Sequence, residues 1–307
     1  MNSQHSLTKK PNLGLLYAFA GTVLLSTNYI TAKYGLRGFN PETFSLIWTA
    51  AASVYSFMII LLTGGTSQLF IPAGSIGRII GLGVITGAGM LFTWAGLALL
   101  DPTFMAFLFR LHPVLNILLG VLVLHEVFRR KELLPISIVI VGGLISVIER
   151  WNIVYLGVIF TLLAIVSVSF QMLIAKERIE KVHPKGLVFY RVMIAMLVIA
   201  AWTIVTGKIN FDVKLSYWLV TLLGALFGPT LSFIFFFHSY QHWDFYRSSM
   251  VITIQPVLVL PWAYLFLGEF PNALELIGGS IIMLGAFWLM WIHFRYSKEP
   301  LNVDNHF

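Results

Sequence analysis

Apolar runs separated by short joints of glycine, proline and polar residues recur along the whole of this 307-residue chain. A hydrocarbon core of roughly 30 Å takes about 20 residues of helix. Ten runs meet that length: 13–34, 43–62, 78–99, 102–124, 133–149, 153–175, 186–206, 216–239, 245–268 and 273–294. The joints carry the residues that break helices, as in Gly38-Phe39-Asn40-Pro41, Asp101-Pro102 and Glu269-Phe270-Pro271-Asn272. The pattern predicts an all-α membrane protein with ten transmembrane helices. Residues 1–12 form a polar tail, and the run after them has no small-residue cleavage site, so it reads as a retained span and not a signal peptide. Residues 295–307 form a second tail.

The runs are not independent of one another. Laid on itself at an offset of 143, the chain matches without a gap from Gly14 to Gly285. Gly14 falls on Gly157, Lys33 on Lys176, Pro41 on Pro184, Gly64 on Gly207, Asp101 on Asp244, Pro113 on Pro256, Glu126 on Glu269 and Gly142 on Gly285. Leucine matches are cheap in an apolar chain, so the weight rests on these rarer types. Residues 13–149 and 150–294 therefore read as two copies of one module. Each copy holds five spans, an odd number, which turns the second copy upside down. Two inverted five-helix repeats related by an axis in the membrane plane are an architecture of secondary transporters.

Composition agrees. Hydrophobic residues make up 58% of the chain and charged residues 11%, where soluble domains carry roughly 25% charge. Mean hydropathy is +0.85. There is no cysteine, which excludes disulfides and thiolate chemistry. The excess of 20 Lys and Arg over 13 Asp and Glu reflects topology, since basic residues collect in cytoplasmic loops, and does not call for a nucleic-acid partner. With the amino terminus inside, most basic residues fall at inner span ends, and Lys33, Arg37, Arg150, Lys208 and Lys214 fall outside. Both termini are then expected in the cytoplasm of a cell-membrane protein. Arg110 and Arg191 are left within the membrane.

These residues carry a resemblance. The second copy reads Gln255-Pro256-Val257-Leu258 and then Leu267-Gly268-Glu269-Phe270, with Gly278, Gly279 and Gly285 following. The first reads His112-Pro113-Val114-Leu115 and then Leu124-His125-Glu126-Val127, with Gly142 and Gly143 following. Over nearly its whole length the chain resembles the EamA family of the drug/metabolite transporter superfamily, ten-helix carriers of two EamA repeats. It departs at His125, where the family usually has glycine, and at Trp48, where an arginine is common; the second copy keeps Arg191 there. The resemblance implies that the first to fourth and sixth to ninth helices surround a central cavity and that the fifth and tenth lie at the periphery.

Candidate chemistry lies where the copies differ. Arg110 falls near mid-membrane, and a guanidinium at that depth faces a cavity or a partner; Asp101 is the nearest acid in sequence. Arg191 is closer to a helix end, where it can snorkel or point inward. No Asp or Glu lies comparably deep, which argues against carboxylate-based ion coupling and favours a substrate with a carboxylate or phosphate. His112 and His238 are the titratable groups that could relay a proton; His112 shares a helix face with Asn116, and Arg110 points about 200° away. Pro113 and Pro256 interrupt the fourth and ninth spans at matching positions, as in transporter sites and gates. Asn28 and Gln171 are paired by the offset and serve as pocket groups or interhelical bonds. Gln255 aligns with His112, Thr253 with Arg110 and Arg191 with Trp48. Trp48, Trp94, Trp262, Tyr17, Tyr55, Tyr190 and Tyr264 can line an aromatic cavity. Gly81, Gly83, Gly87 and Gly89 on one span read as a packing seam.

There is no Walker motif, no HExxH and no paired carboxylates, so neither an enzyme nor a cofactor is indicated. The sequence reads as a secondary transporter exporting small organic metabolites such as amino acids by alternating access. A multidrug or quaternary-cation exporter, a non-transporting membrane protein and a lipid-acting membrane enzyme are the alternatives. The anion would sit on Arg110 and the apolar part of the substrate against the aromatic residues.

Overall fold

The computed structural model describes residues 11–112, 114–115, 130–147, 151–178, 181–242 and 251–296. Pro113, Asn116, His125, Glu126 and Asp244 lie outside the described residues. Every regular element among those described is helical: α1 Pro11–Gly35, α2 Pro41–Thr63, α3 Ile76–Leu99, α4 Pro102–Leu108, α5 Leu133–Val147, α6 Trp151–Arg178, α7 Pro184–Thr206, α8 Leu215–Ala225, α9 Phe233–His242, α10 Gln255–Leu267 and α11 Ala273–Tyr296. A 3₁₀ turn, Phe109–Leu111, continues α4, and a π-helical segment, Leu226–Ser232, joins α8 to α9. Among the described residues seven stretches are long and apolar enough to cross a membrane, and Pro102–Leu111 and Gln255–Leu267 are shorter apolar helices.

Sequence sets where these helices start. Asn40, Asp101 and His183 each precede a proline, and each accepts a hydrogen bond from a backbone N–H of the first turn. Proline there loses nothing, because that N–H has no partner within the helix. At α11, Glu275 N donates to Asn272 Oδ1 at 2.7 Å and Asn272 N donates to Glu275 Oε2 at 2.8 Å, a reciprocal capping box. Gly207 and Gly268 close α7 and α10 in the left-handed region, at φ 65° and 66°, where a Cβ is costly.

The bundle is apolar outside and carries its polar groups inside, among buried apolar clusters. Leu62 and Val205 are 81% and 83% exposed, which in water would be a liability and in lipid is what a membrane helix presents. The buried face of α2 instead carries Ser45, Thr49, Ser53 and Ser56. Their hydroxyls donate back to Pro41, Ser45, Thr49 and Ser53 carbonyls at 2.5, 2.7, 2.7 and 3.0 Å, so each is satisfied within its own helix.

Close packing follows small residues. Gly83 and Gly87 of α3 lie against Ile194 and Val198 of α7, and Gly89 lies against Ser167 and Gln171 of α6; Gly81 faces open space. Between α5 and α11, a Cβ on Gly278 would stand 2.5 Å from the Gly142 carbonyl oxygen, and one on Gly142 would stand 2.8 Å from the Gly278 oxygen. Backbone cannot yield as a side chain can. Gly278→Ala is therefore expected to destabilise the fold by about 1–3 kcal/mol, the cost of overpacking. Gly143→Ala, where nothing lies within 4 Å, should be near neutral. Thermal unfolding of both variants in one detergent checks the contrast.

Candidate functional site

Two prolines interrupt helices in the second half, and each break holds a buried arginine. Pro256 has no N–H for the carbonyl four residues back, that of Ile252. Residues 253–254 form a turn, Ile254 N bonds to Val251 O at 3.2 Å, and α10 begins only at Gln255, with Pro256 in its first turn. Arg110, carried on the 3₁₀ turn after α4, occupies the break. Its Nη1 donates to Ile252 O at 2.5 Å and its Nη2 to Gln255 Oε1 at 2.9 Å. Arg110 and Gln255 are 7% and 1% exposed. Thr253, which the offset pairs with Arg110, turns to Met290 Sδ at 3.7 Å.

The second break lies in the span expected to run unbroken over 216–239. Pro229 cannot donate to Ala225 O, the helix widens into the π segment, and Thr230 Oγ1 donates to that carbonyl at 3.0 Å. Arg191 reaches in from α7. Its Nη2 donates to Pro229 O at 3.3 Å, and its guanidinium lies 3.6 Å over the Phe233 ring. At 3% exposure it points into the bundle and does not snorkel. Among the described residues no carboxylate pairs with either arginine. Asp101 is engaged elsewhere, capping α4 through Thr103 N and Phe104 N at 2.8 and 3.1 Å.

An aromatic wall lies nearby. The rings of Phe44, Trp48 and Trp94 sit 5.0–5.3 Å apart, in one buried cluster with Tyr29, Phe104 and Leu108. Tyr29 meets Phe109, the neighbour of Arg110, edge to face at 6.3 Å. Asn28 Oδ1 and Trp48 close on Gly228 of the π segment, leaving no room there for a Cβ. Among the described residues, the buried polar atoms left without a partner include five donors: the indole Nε1 of Trp48 and of Trp94, the Nε of Arg110 and of Arg191, and Gln255 Nε2. Buried donors are nearly always paired. A set of them without acceptors suits a ligand rich in acceptor oxygens.

The other candidates lie elsewhere. Gln171 Oε1 accepts from Thr86 Oγ1 at 2.9 Å, joining α6 to α3. Tyr190 donates to Leu69 O at 3.0 Å, at the bundle end that also carries the Lys185 Nζ to Thr63 Oγ1 bond of 2.6 Å. His112 hydrogen-bonds the backbone at Val168 of α6, so it diverges from Arg110. His238 packs 5.7 Å from Tyr17. Trp262 and Tyr264 turn outward, 37% and 63% exposed. Among the described residues no group of three or more His, Asp or Glu is placed to hold a metal. Sequence reasoning passed over Pro229, although a Gly228-Pro229 pair inside an apolar run was the available signal.

The opposite end of the bundle is closed by charge. Lys33 Nζ donates to the carbonyls of Leu97, Ala98 and Leu100 at 2.9, 3.4 and 2.6 Å, capping α3 with a cation at its negative pole. Arg37 pairs with Glu269 and Lys208 with Glu42, both at 2.8 Å. A cleft of about 400 Å³ beside them is lined in part by Lys33, Asp101, Phe104, Val154, Glu269 and Glu275.

Burial raises the Asp101 carboxyl above its ordinary range, outweighing the two backbone bonds that lower it. A raised acid binds more protons folded than unfolded, so stability falls as pH rises from the ordinary aspartate value through the raised one. Asp101→Asn keeps the cap acceptor and removes the charge. It is expected to leave stability at pH 7 equal or higher and to flatten this dependence, as thermal unfolding across pH 4–7 would test.

Comparison with known proteins adds three findings. The family model described as the EamA-like transporter family matches residues 12–148 and again 155–291, two segments set 143 residues apart. A protein of Archaeoglobus fulgidus named an uncharacterized transporter is 22% identical over 181 residues, 59% of this chain. The chain spans 64% of that relative's length. One solved crystal structure of a protein, at 18% identity, shares the fold with a TM-score of 0.66 over 94% of this chain and 100% of its own.

Proposed function

Because this chain belongs to the EamA-like transporter family, a family of the drug/metabolite transporter superfamily, and carries helices long and apolar enough to cross a membrane, we propose that it is a multi-pass membrane transporter that exports small organic metabolites bearing an anionic group, such as amino acids, by alternating access. On this reading ten spans form two inverted five-helix copies, 13–149 and 150–294, with both termini on the cytoplasmic side of the cell membrane. Arg110 holds the anion, the cluster of Trp48 and Trp94 holds the apolar part, and Gln255 and Asn28 complete the polar contacts. The joints at Pro113 and Pro256 are the moving parts.

One observation carries the substrate class. The Arg110 guanidinium is buried, satisfied only by neutral acceptors at Ile252 and Gln255, and has no carboxylate partner among the described residues. A buried cation left that way attracts an anionic ligand, and a quaternary cation would be repelled.

Exchange of labelled solutes in proteoliposomes tests the reading. Amino acids and other carboxylate-bearing solutes should exchange, and a quaternary ammonium should not. Exchange of the ammonium without the carboxylates would overturn it. Coupling to protons, for which His112 and His238 are the candidates, predicts faster flux under an imposed pH gradient. Equal flux without one would indicate facilitated diffusion.

A further inference from the structure

Arg191 is held less fully than Arg110. Among the described residues only its Nη2 finds an acceptor, at 3.3 Å, and its Nε is left with none. An arginine presents a fork suited to bidentate binding of carboxylate or phosphate, and here most of that fork is unused. The remaining partner is the face of Phe233, which attracts the cation without occupying its donors. The Thr230 and Ser232 hydroxyls donate to the Ala225 and Gly228 carbonyls, and neither is the acceptor that the fork uses, which is Pro229 O.

Position separates the two arginines. Arg110 is about 12 Å along its helix from the Pro102 end, beside the cleft of Lys33 and Glu269, at about 1.5 Å per residue. Arg191 is about 10 Å from the Pro184 end, beside the Tyr190 and Lys185 contacts with the joint that follows α2. These are opposite ends of the bundle. Each arginine binds a carbonyl at a proline-made break, Arg110 at Pro256 and Arg191 at Pro229, on different helices.

We propose that Arg191 and the π segment around Pro229 form a second anion-binding site, with its own cation and facing the other end of the bundle, that borders the Arg110 site where Asn28 and Trp48 lie against Gly228. Its ligand is a carboxylate- or phosphate-bearing small molecule. The proposal rests on the reading of the bundle as a carrier pathway, and adds to it a second station at which the anion is held.

Counting bound anions tests it. The intact protein in nanodiscs of neutral lipid is titrated with labelled pyruvate and, separately, labelled inorganic phosphate, and the number bound per chain is measured. Wild type should bind two of at least one probe, and Arg191→Gln and Arg110→Gln should each bind one. The probe that binds tells carboxylate from phosphate. The single site left in Arg191→Gln reports that this variant is folded, and Arg191→Lys should recover the second anion with affinity lowered tenfold or more. An Arg191→Gln protein that binds as many anions as wild type overturns the proposal. So does a wild type that binds neither probe, or Arg191→Gln and Arg191→Lys proteins that both lose all binding. A wild type with one site, abolished only by Arg110→Gln, overturns the second site and leaves the first. One site abolished only by Arg191→Gln does the reverse.

Discussion

Replacing Arg110 with glutamine is expected to lower transport of carboxylate-bearing solutes by about 10–100-fold, while the protein still inserts and folds. A hydrogen bond to a charged group contributes about 1.5–3 kcal/mol, and each ~1.4 kcal/mol is a factor of ten in rate. Two effects combine. The substrate loses its counter-ion, and the Ile252 carbonyl loses the donor that replaced the N–H missing at Pro256. Arg110→Lys should recover only part of the rate, because an ammonium is a point charge and cannot fork between a backbone oxygen and a side-chain amide. Initial rates in proteoliposomes, compared across carboxylate, zwitterion and neutral solutes, give the measurement. Loss confined to solutes with a negative group is the expected pattern. Equal loss across all solutes would make Arg110 a structural residue.

Much of this was written in the chain, and the exceptions have physical causes. Helix starts were legible because proline after Asn40, Asp101 or His183 fixes a backbone angle at a place where its missing N–H is harmless. The duplication was legible because rare residues repeat at one offset, and the two matched family segments keep it. The burial of Arg110 followed from its distance to either end of an apolar run. Where its side chain points did not follow. A 3₁₀ turn at Phe109–Leu111 shifts the register, so the angle between Arg110 and His112 on an ideal helix does not hold. The run 216–239 reads as one continuous span because its composition is apolar throughout; a single proline changes the hydrogen-bond ladder without changing hydropathy. Gln171 and Tyr190 show the same limit. Composition marks a polar group in lipid, but the neighbour that satisfies it, Thr86 or the Leu69 carbonyl, belongs to another helix and leaves no trace in the local sequence.

Pro256→Ala is expected to raise thermal stability and slow transport by tenfold or more, a pairing that separates a gate from a packing kink. Alanine supplies the N–H that Ile252 O lacks, so the helix can close across residues 253–254, and alanine is favoured over proline in a helix interior by up to about 3 kcal/mol. If the break exists for packing alone, healing it should strain the bundle and lower stability. If it exists so that the segments on either side can move independently, healing it should stiffen the joint and trap one conformation. The shared carbonyl gives a sharper test in a double-mutant cycle. In the wild type Arg110→Gln leaves Ile252 O without a donor, at a cost of about 1–3 kcal/mol. In the Pro256→Ala background the new N–H already occupies that oxygen, so the same Arg110→Gln change should cost clearly less. Residues that share a partner couple by about 0.5–3 kcal/mol, whereas independent sites add to within about 0.5 kcal/mol. Thermal unfolding of the four proteins in one detergent decides between these outcomes. Additive losses would mean that Arg110 does not stand in for the N–H that Pro256 removes.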